Sequence, residues 1–305
     1  MAAIGGAVRG PVRARRRLGA CGIAVVLGVA LAGGACGKKA LTTPVAGDAD
    51  KVLFDRGLEA LSGRKWFTAR EYFRQLVDGY PQSPLRAESK LALGETYLNE
   101  GTPQAYVLAL NEFSEFLSFY PTHPKADVAQ FKVAMTHYRQ MSKPQRDQTE
   151  TRAAVSEFDV FFERHPESVL VPEAKERYRE AKDRLGQSDY GVGLFYYRAR
   201  WYPGAIDRFK ALLAADPGFT YRDAVYFHLA DSLAKMGRPA EALPYLDKLT
   251  TEFTQSEFLE SGQQLMTEVK AKVDAPPAPA PGTAPPVPSP DTPAPAATPP
   301  PPPPA

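Results

Sequence analysis

The sequence predicts an all-α fold of five stacked helix-turn-helix repeats, because one column pattern recurs five times between residues 57 and 254. In four copies an Ala is followed four residues later by Phe, and eight residues after that by Pro. These copies are Ala69-Phe73-Pro81, Ala109-Phe113-Pro121, Ala154-Phe158-Pro166 and Ala205-Phe209-Pro217, and the fifth is Ala242-Leu246-Thr254. A further residue, small in four of the five copies, precedes each block, at Gly57, Gly94, Met135, Gly193 and Ala230. Together these columns are the tetratricopeptide signature of a superhelix built from helix pairs.

Each column has a packing role in such a helix pair, whose members we call helix A and helix B. The Ala column lies where the two helices cross most closely, so only a small side chain fits there. The Phe column falls on the stripe of helix B that faces the core. The Pro column disfavours helix at the residue before it and so ends helix B. We therefore predict that Phe73, Phe113, Phe158 and Phe209 are almost fully buried.

One insertion between repeats is itself predicted to be helical. Between Pro166 and Gly193 the chain is charged and rich in good helix formers, and Pro172 suits a first-turn position. This pattern predicts a long helix from about Pro172 to Tyr197 that joins repeats 3 and 4. We expect a domain over 49–273 that closes with a C-terminal helix and holds repeats at about 50–83, 87–123, 128–168, 186–219 and 223–256.

Residues 1–35 have the features of a bacterial lipoprotein signal peptide. Five arginines precede an apolar run over 18–35 that is rich in Gly and Ala. The run ends at Cys36, which such a signal would make the lipidated first residue of the mature chain, before a linker over 36–48. The signal motif is imperfect because Leu31 stands five residues before the cysteine rather than three. A soluble secretory signal or a weak membrane anchor is the alternative.

Charge and motifs argue against nucleic-acid binding and against catalysis. The chain has 37 basic and 35 acidic side chains, and removing the five arginines of the signal leaves 32 and 35, a formal charge of −3. No basic stripe typical of nucleic-acid binding remains. The four histidines are scattered, and no hydrolase, zinc-protease or phosphate-loop motif occurs. Both cysteines lie within the first 36 residues. We expect no enzyme activity, cofactor or metal.

The segment 274–305 differs in composition from the rest of the chain. Residues 275–305 contain sixteen prolines, and Asp291 is their only charged side chain. Such a composition cannot build a core and predicts a polyproline II or disordered tail. The tail could act as a passive spacer or as a ligand for a partner.

Over about residues 49–273 the chain resembles the BamD family, tetratricopeptide lipoproteins of the outer-membrane β-barrel assembly machinery. The resemblance is carried by the Tyr-Pro-x-Ser loops, by Glu173-Ala174-x-x-Arg177, and by the run Tyr196-Tyr197-Arg198-Ala199-Arg200-Trp201-Tyr202. It implies a lipid-anchored protein at the periplasmic face of the outer membrane. The implied partners are the β-barrel insertase, other subunits of the machinery and unfolded outer-membrane proteins. The Pro-rich tail and Thr254 depart from the family pattern.

The resemblance and the repeat positions together nominate two candidate surfaces. Arg200 aligns with the family's basic residue that meets an acidic surface of the insertase, and Arg198 and Trp201 flank it in the same contact. Helix A positions of the first two repeats suggest a weaker substrate groove, formed by Lys51, Phe54, Glu88, Glu95 and Asn99. The alternatives are an Arg200–Asp207 ion pair, a Trp201 that caps the core, and a Phe54 that belongs to the core.

Two other functions remain open from the sequence. Repeat lipoproteins that coordinate cell-wall synthesis or envelope constriction share the Tyr-Pro-x-Ser loop. One type of these proteins carries an N-terminal coiled coil, whereas only about a dozen residues separate Cys36 from the first repeat here and they show no heptads. A pilus or secretin pilotin, which would bind a partner's C-terminal segment in its groove, is the third possibility.

Overall fold

A computed structural model describes residues 48–274, which belong to one compact unit. The predicted signal peptide, the lipidation site Cys36, most of the linker and the Pro-rich tail lie outside the described residues. Between residues 48 and 274 the chain forms eleven α-helices and no strand. The helices are α1 Ala49–Ser62, α2 Trp66–Gly79, α3 Arg86–Glu100, α4 Pro103–Phe119, α5 Ala126–Tyr138, α6 Thr149–Arg164, α7 Val171–Arg198, α8 Tyr202–Ala215, α9 Arg222–Lys235, α10 Pro239–Glu252 and α11 Leu259–Asp274. The predicted all-α class is confirmed.

Consecutive helices pack against each other as antiparallel neighbours, as short connections require. Ser83, which follows α2, lies within hydrogen-bond distance of Asp50 at the start of α1. Gly262, near the start of α11, lies against Leu249, near the end of α10. Within each half of the chain the connections inside helix pairs therefore share one edge, which we call the turn edge. It carries residues 63–65, 101–102 and 139–148 before α7 and residues 199–201 and 236–238 after it, where α11 also ends. The two stretches are displaced along α7, because the Ser142 carbonyl accepts from Arg184 in the middle of α7 (2.8 Å) whereas residues 199–201 follow its end.

The helix predicted to join repeats 3 and 4 is observed as α7, a single 28-residue helix. Its first half packs on α6 and its second half on α8. Three clusters of buried side chains follow from this arrangement: one over α1–α5, one over α5–α7 and one over the C-terminal helices. Because α5 and α7 each contribute to two clusters or to their borders, the core is continuous along the repeats.

The Ala and Phe columns form the core, as predicted. The five alanines of the first column are each 0% exposed, and so are Phe73, Phe113, Phe158 and Phe209. The small residue of helix A is explained by the same contact, because a Cβ added to Gly94 would lie 2.6 Å from the Phe113 ring. Equivalent contacts of 2.5 Å occur at Gly57 and Gly193. In these three repeats helix A thus approaches the Phe ring of helix B at a distance that only glycine allows.

A hydroxyl–carboxylate clamp closes four of the five repeats. A Ser or Thr in the loop after helix B donates to an Asp in helix A of the same unit, with 2.6 Å for Ser168–Asp127 and for Ser256–Asp223. The other two pairs are Ser83–Asp50 and Thr220–Asp183. In the fifth repeat Thr254 replaces Pro, yet the backbone at Phe253 (φ −125°, ψ 62°) matches that at Tyr80 (φ −127°, ψ 66°). The clamp is present in both loops, so the loop shape does not require the proline.

Candidate partner-binding surface

The connection between α7 and α8 is a tight turn that presents Arg200. The Arg200 amide donates to the Tyr197 carbonyl (2.9 Å) and the Trp201 amide to the Tyr196 carbonyl (3.0 Å), which is the Schellman pattern of a helix C-terminus. The residue at its centre must be left-handed, and Arg200 has a φ of 59°. A side chain costs roughly 1–2 kcal/mol in that conformation. An arginine therefore occupies a position that the backbone would give to glycine.

A left-handed residue also follows helix A in three other repeats, which shows that arginine is not required at this position. Gly101 and Gly237 occupy the left-handed position in their repeats, with φ of 72° and 70°. Arg64, between α1 and α2, has a φ of 55° and a turn with the same hydrogen bonds as the turn at Arg200. Two repeats thus use glycine and two use a strained arginine. Arg64 is consequently a geometric match for Arg200 at the other end of the domain.

The two candidate arginines of this turn have free side chains. Arg198 and Arg200 are both exposed. Within residues 48–274 neither guanidinium makes a hydrogen bond or an ion pair, so the alternative Arg200–Asp207 pair does not form there. Two uncompensated positive charges therefore lie side by side on the turn edge. Their geometry leaves the planar donors of Arg200 open to a carboxylate, to which arginine can bind bidentately.

Trp201 is packed on one side and open on the other. Its ring meets Tyr196 edge-on with centroids 5.0 Å apart, and a Cβ on Gly204 would lie only 2.3 Å from it. The indole nevertheless stays 55% exposed. The packing on Tyr196 and Gly204 favours the alternative that Trp201 caps the core. The exposed part of the ring is available to a partner.

Two exposed apolar side chains of α7 extend this surface, and the sequence-based search missed them. Val192 and Phe195 are 40% and 67% exposed, and Phe195 contacts Tyr196 with centroids 5.6 Å apart. They border a cavity of about 350 Å³ between α7 and the α5–α6 connection, where Pro144 forms part of the wall. The sequence feature that could have identified them is that both are apolar residues outside the buried stripe of α7. Val192, Phe195, Tyr196 and Trp201 together are the aromatic patch below.

Tyr197, which precedes the arginines, is committed to the fold. Its hydroxyl donates to the Asp231 carboxylate (2.6 Å) and accepts from Lys235 (3.1 Å). Its ring packs edge-on against His228 with centroids 4.9 Å apart. Burial lowers the pKa of His228 below its ordinary value, which the Ala224 carbonyl 2.8 Å away opposes only in part. These contacts tie α7 to α9 and hold the turn that carries Arg200.

The candidate groove residues of the first two repeats lie in two different environments. Phe54 packs edge-on against Phe73 with ring centroids 6.0 Å apart and borders the N-terminal core, which favours the alternative that it is a core residue. Lys51 is exposed at the start of α1. Lys51 is therefore a surface residue of α1, whereas Phe54 lies on its core side.

The other three groove residues form a polar ladder between α3 and α5. Glu88 pairs with Lys125 and Glu95 with Lys132, each at 3.0 Å, while Asn99 accepts from Arg139 at 3.4 Å. The paired side chains are between 28% and 45% exposed. Ion pairs this exposed contribute only about 0–1 kcal/mol each, so a bound chain could exchange them at low cost. The helix A face of repeats 2 and 3 is thus polar rather than apolar, and its ion pairs can be replaced by those of a bound chain.

None of the helices within residues 48–274 is both long and apolar enough to span a bilayer. In the same range, no three His, Cys, Asp or Glu side chains come close enough to hold a metal ion.

A family profile described as YfiO, outer membrane lipoprotein, matches residues 47–242, which is more than half of the chain. The chain belongs to this family. The BamD family resemblance seen in the sequence is thereby confirmed, and the match includes both candidate arginines. This YfiO-family protein is accordingly associated with the outer membrane.

Three curated relatives of this YfiO-family chain carry the same name. It is 26% identical over 221 residues to "Outer membrane protein assembly factor BamD" of Caulobacter vibrioides, which covers 72% of each chain. The protein of the same name from Rickettsia prowazekii is 21% identical over 242 residues, covering 79% of this chain and 94% of the relative. The one from Vibrio cholerae is 26% identical over 175 residues, covering 54% and 71%.

Among solved structures, the crystal structure of MamA is similar at 18% identity with a TM-score of 0.32, covering 76% of this chain and all of that one. The yeast Sti1 TPR2AB domain is 10% identical with a TM-score of 0.35 and covers 73% and 99%. Scores this low carry no argument about function.

Proposed function

We propose that this YfiO-family protein is an outer-membrane protein assembly factor, a scaffold that binds the β-barrel insertase and helps deliver unfolded outer-membrane proteins. The observation that carries the proposal is Arg200, an exposed and unpaired arginine held in a left-handed turn beside the half-exposed Trp201. Because Arg64 has the same strained backbone, what distinguishes Arg200 is the half-exposed Trp201 beside it and the exposed Arg198 two residues before it. The names of the relatives supply the class of partner.

The chemistry of the turn suits an acidic partner surface. Arg200 offers a planar fork to a carboxylate, and Arg198 adds a second charge within the same helix turn. Trp and Arg are the residue types most enriched among interface hot spots. The contact would place Trp201 against an apolar part of the partner and Arg200 against an acid of the insertase.

The substrate role is assigned to the helix A face of the N-terminal repeats. Glu88, Glu95 and Asn99 line it, and their partners on α5 are basic. An extended chain could replace these surface pairs with its own charges, which suits unfolded clients of varied sequence. This assignment predicts crosslinks from positions 95 and 99 to unfolded barrel proteins, and crosslinks found only from the opposite face would contradict it.

The anchor of this scaffold is proposed to be acylated Cys36. Dual or triple acylation buries enough methylene groups for stable membrane attachment. Cys36→Ala is therefore expected to move the protein from the outer-membrane pellet into the soluble periplasmic fraction. If the variant still pellets with outer membranes after a high-salt wash, the lipid is not the anchor.

Affinity purification from solubilised membranes tests the proposed function and its alternatives together. The expected partner is a β-barrel protein with periplasmic domains. Recovery of cell-wall synthases instead would favour the envelope-constriction alternative, and recovery of a secretin would favour the pilotin. Either of those two results, without the barrel protein, would contradict the proposal.

A further inference from the structure

We propose that the Pro-rich segment 275–305 of this same chain docks on the aromatic patch formed by Val192, Phe195, Tyr196 and Trp201. Proline-rich segments bind grooves lined by exposed aromatic rings, because the polyproline II conformation is already extended and loses little entropy on binding. The patch offers Phe195, 67% exposed, and Trp201, 55% exposed, on the two sides of Tyr196. A cavity of about 350 Å³ lies beside these rings, and the α5–α6 connection with Pro144 forms its second wall.

The described fold ends on the same edge of the C-terminal helices as the patch. Because neighbouring helices alternate in direction, α11 ends at Asp274 on the turn edge, the same edge that carries Trp201. Three helix-to-helix steps separate α11 from α8, and at 8–10 Å per step they amount to roughly 30 Å. A polyproline II segment rises ~3.1 Å per residue, so about ten residues cross that distance. An extended segment would therefore reach the patch from about residue 285 onward.

The charges of the two elements are complementary. Asp291 is the only charged side chain between residues 275 and 305. It follows the proline run 285–290, which the spacing above places on the rings. Arg198 and Arg200 border the patch without a partner among residues 48–274. An ion pair from Asp291 to one of these arginines would fix the direction and register of the segment.

The tether makes even a weak contact relevant. A tether of about ten residues gives an effective concentration in the mM range, so a contact with a dissociation constant of ~1 mM is about half occupied. The docked segment would cover Trp201 and neutralise Arg200. It would thus compete with the insertase for this turn, a consequence that rests on the proposed function. The docking itself requires no partner and is tested without one.

Tryptophan fluorescence of the full chain tests the docking. The chain has two tryptophans, so Trp66→Phe leaves Trp201 as the only reporter. In that background, four prolines of the tail are replaced by glycine, which removes the stiff apolar run. The replaced residues are Pro285, Pro286, Pro288 and Pro290. Docking shields the open face of the indole, so the acrylamide quenching constant of Trp201 is expected to be about twofold lower with the prolines than with the glycines. Asp291→Lys, which removes the proposed ion pair, is expected to raise the quenching constant of Trp201 by part of this twofold difference.

A reporter at the far repeat provides the matched control. In Trp201→Phe the remaining Trp66 lies at the start of α2, and its quenching is expected to be the same with either tail. Equal quenching of Trp201 with both tails would overturn the proposal. Insertase binding is measured separately. The variant with the glycine tail is expected to bind the insertase about twofold more tightly, because a docked tail that occupies the site half of the time halves the apparent affinity. Failure of the insertase to bind at all would count against the proposed function and leave the quenching result intact.

Discussion

Arg200→Glu is expected to abolish co-purification of the insertase while the repeats stay folded. The substitution would face an acidic partner surface with a like charge, and loss of a buried charge pair costs about 2–5 kcal/mol, roughly a 30-fold or larger loss of affinity. The fold is not expected to change because the Arg200 side chain makes no hydrogen bond or ion pair within residues 48–274. Affinity purification combined with thermal unfolding of the variant checks both parts. An acid-to-basic change on the partner should restore binding.

Arg64→Glu is the matched control for this experiment. Arg64 has the same left-handed backbone and the same exposure, but it lies in the first repeat. Its change is expected to leave insertase binding intact. Arg200→Gly separates the backbone from the side chain, because glycine relieves the left-handed strain and should not lower the melting temperature, yet binding should fall. A folded Arg200→Glu protein with unchanged affinity would rule out this site.

Phe113→Ala is expected to destabilise the protein by about 3–5 kcal/mol, the range for removing a fully buried Phe. The ring is 0% exposed and fills the space that Gly94 leaves on helix α3. Alanine would leave a cavity that the close helix crossing cannot collapse. Chemical denaturation of the full chain measures the loss.

Phe119→Ala in the same helix provides the control, because Phe119 is 68% exposed. Its change is expected to stay within about 0.5 kcal/mol. Since repeats couple to their nearest neighbours, hydrogen exchange in Phe113→Ala should accelerate first in α3 and α5 and last in α9 to α11. Exchange that changes in α4 alone would contradict a shared core.

The core was predictable from the sequence because its packing is local. Phe73, Phe113 and Phe209 each contact the glycine of the same helix pair, so the spacing within one repeat contains the interaction, as for Gly57 with Phe73. The long helix was predictable for the same reason, since helix propensity and a first-turn proline act within one element. Its observed range, Val171–Arg198, differs from the predicted one by a single residue at each end.

The surfaces were less predictable because their contacts cross from one repeat to the next. Glu88 lies opposite Lys125 and Glu95 opposite Lys132, and the loop insertions that set this register have no period. The position of the aromatic patch depends on the rotation of α7 about its axis, which is set by packing against its neighbouring helices. The left-handed φ of Arg200 is hidden in the sequence because glycine, the usual marker of that conformation, is absent from this turn.

Depletion of the protein in its native host tests the central claim most directly, with the amount of folded β-barrel protein in the outer membrane as the readout. An assembly factor that delivers clients to the insertase predicts that several unrelated barrel proteins fall together while unfolded forms accumulate in the periplasm. Re-expression of the wild-type chain should restore them, and Arg200→Glu should not. Undiminished levels of folded barrel proteins after depletion would contradict the proposed function.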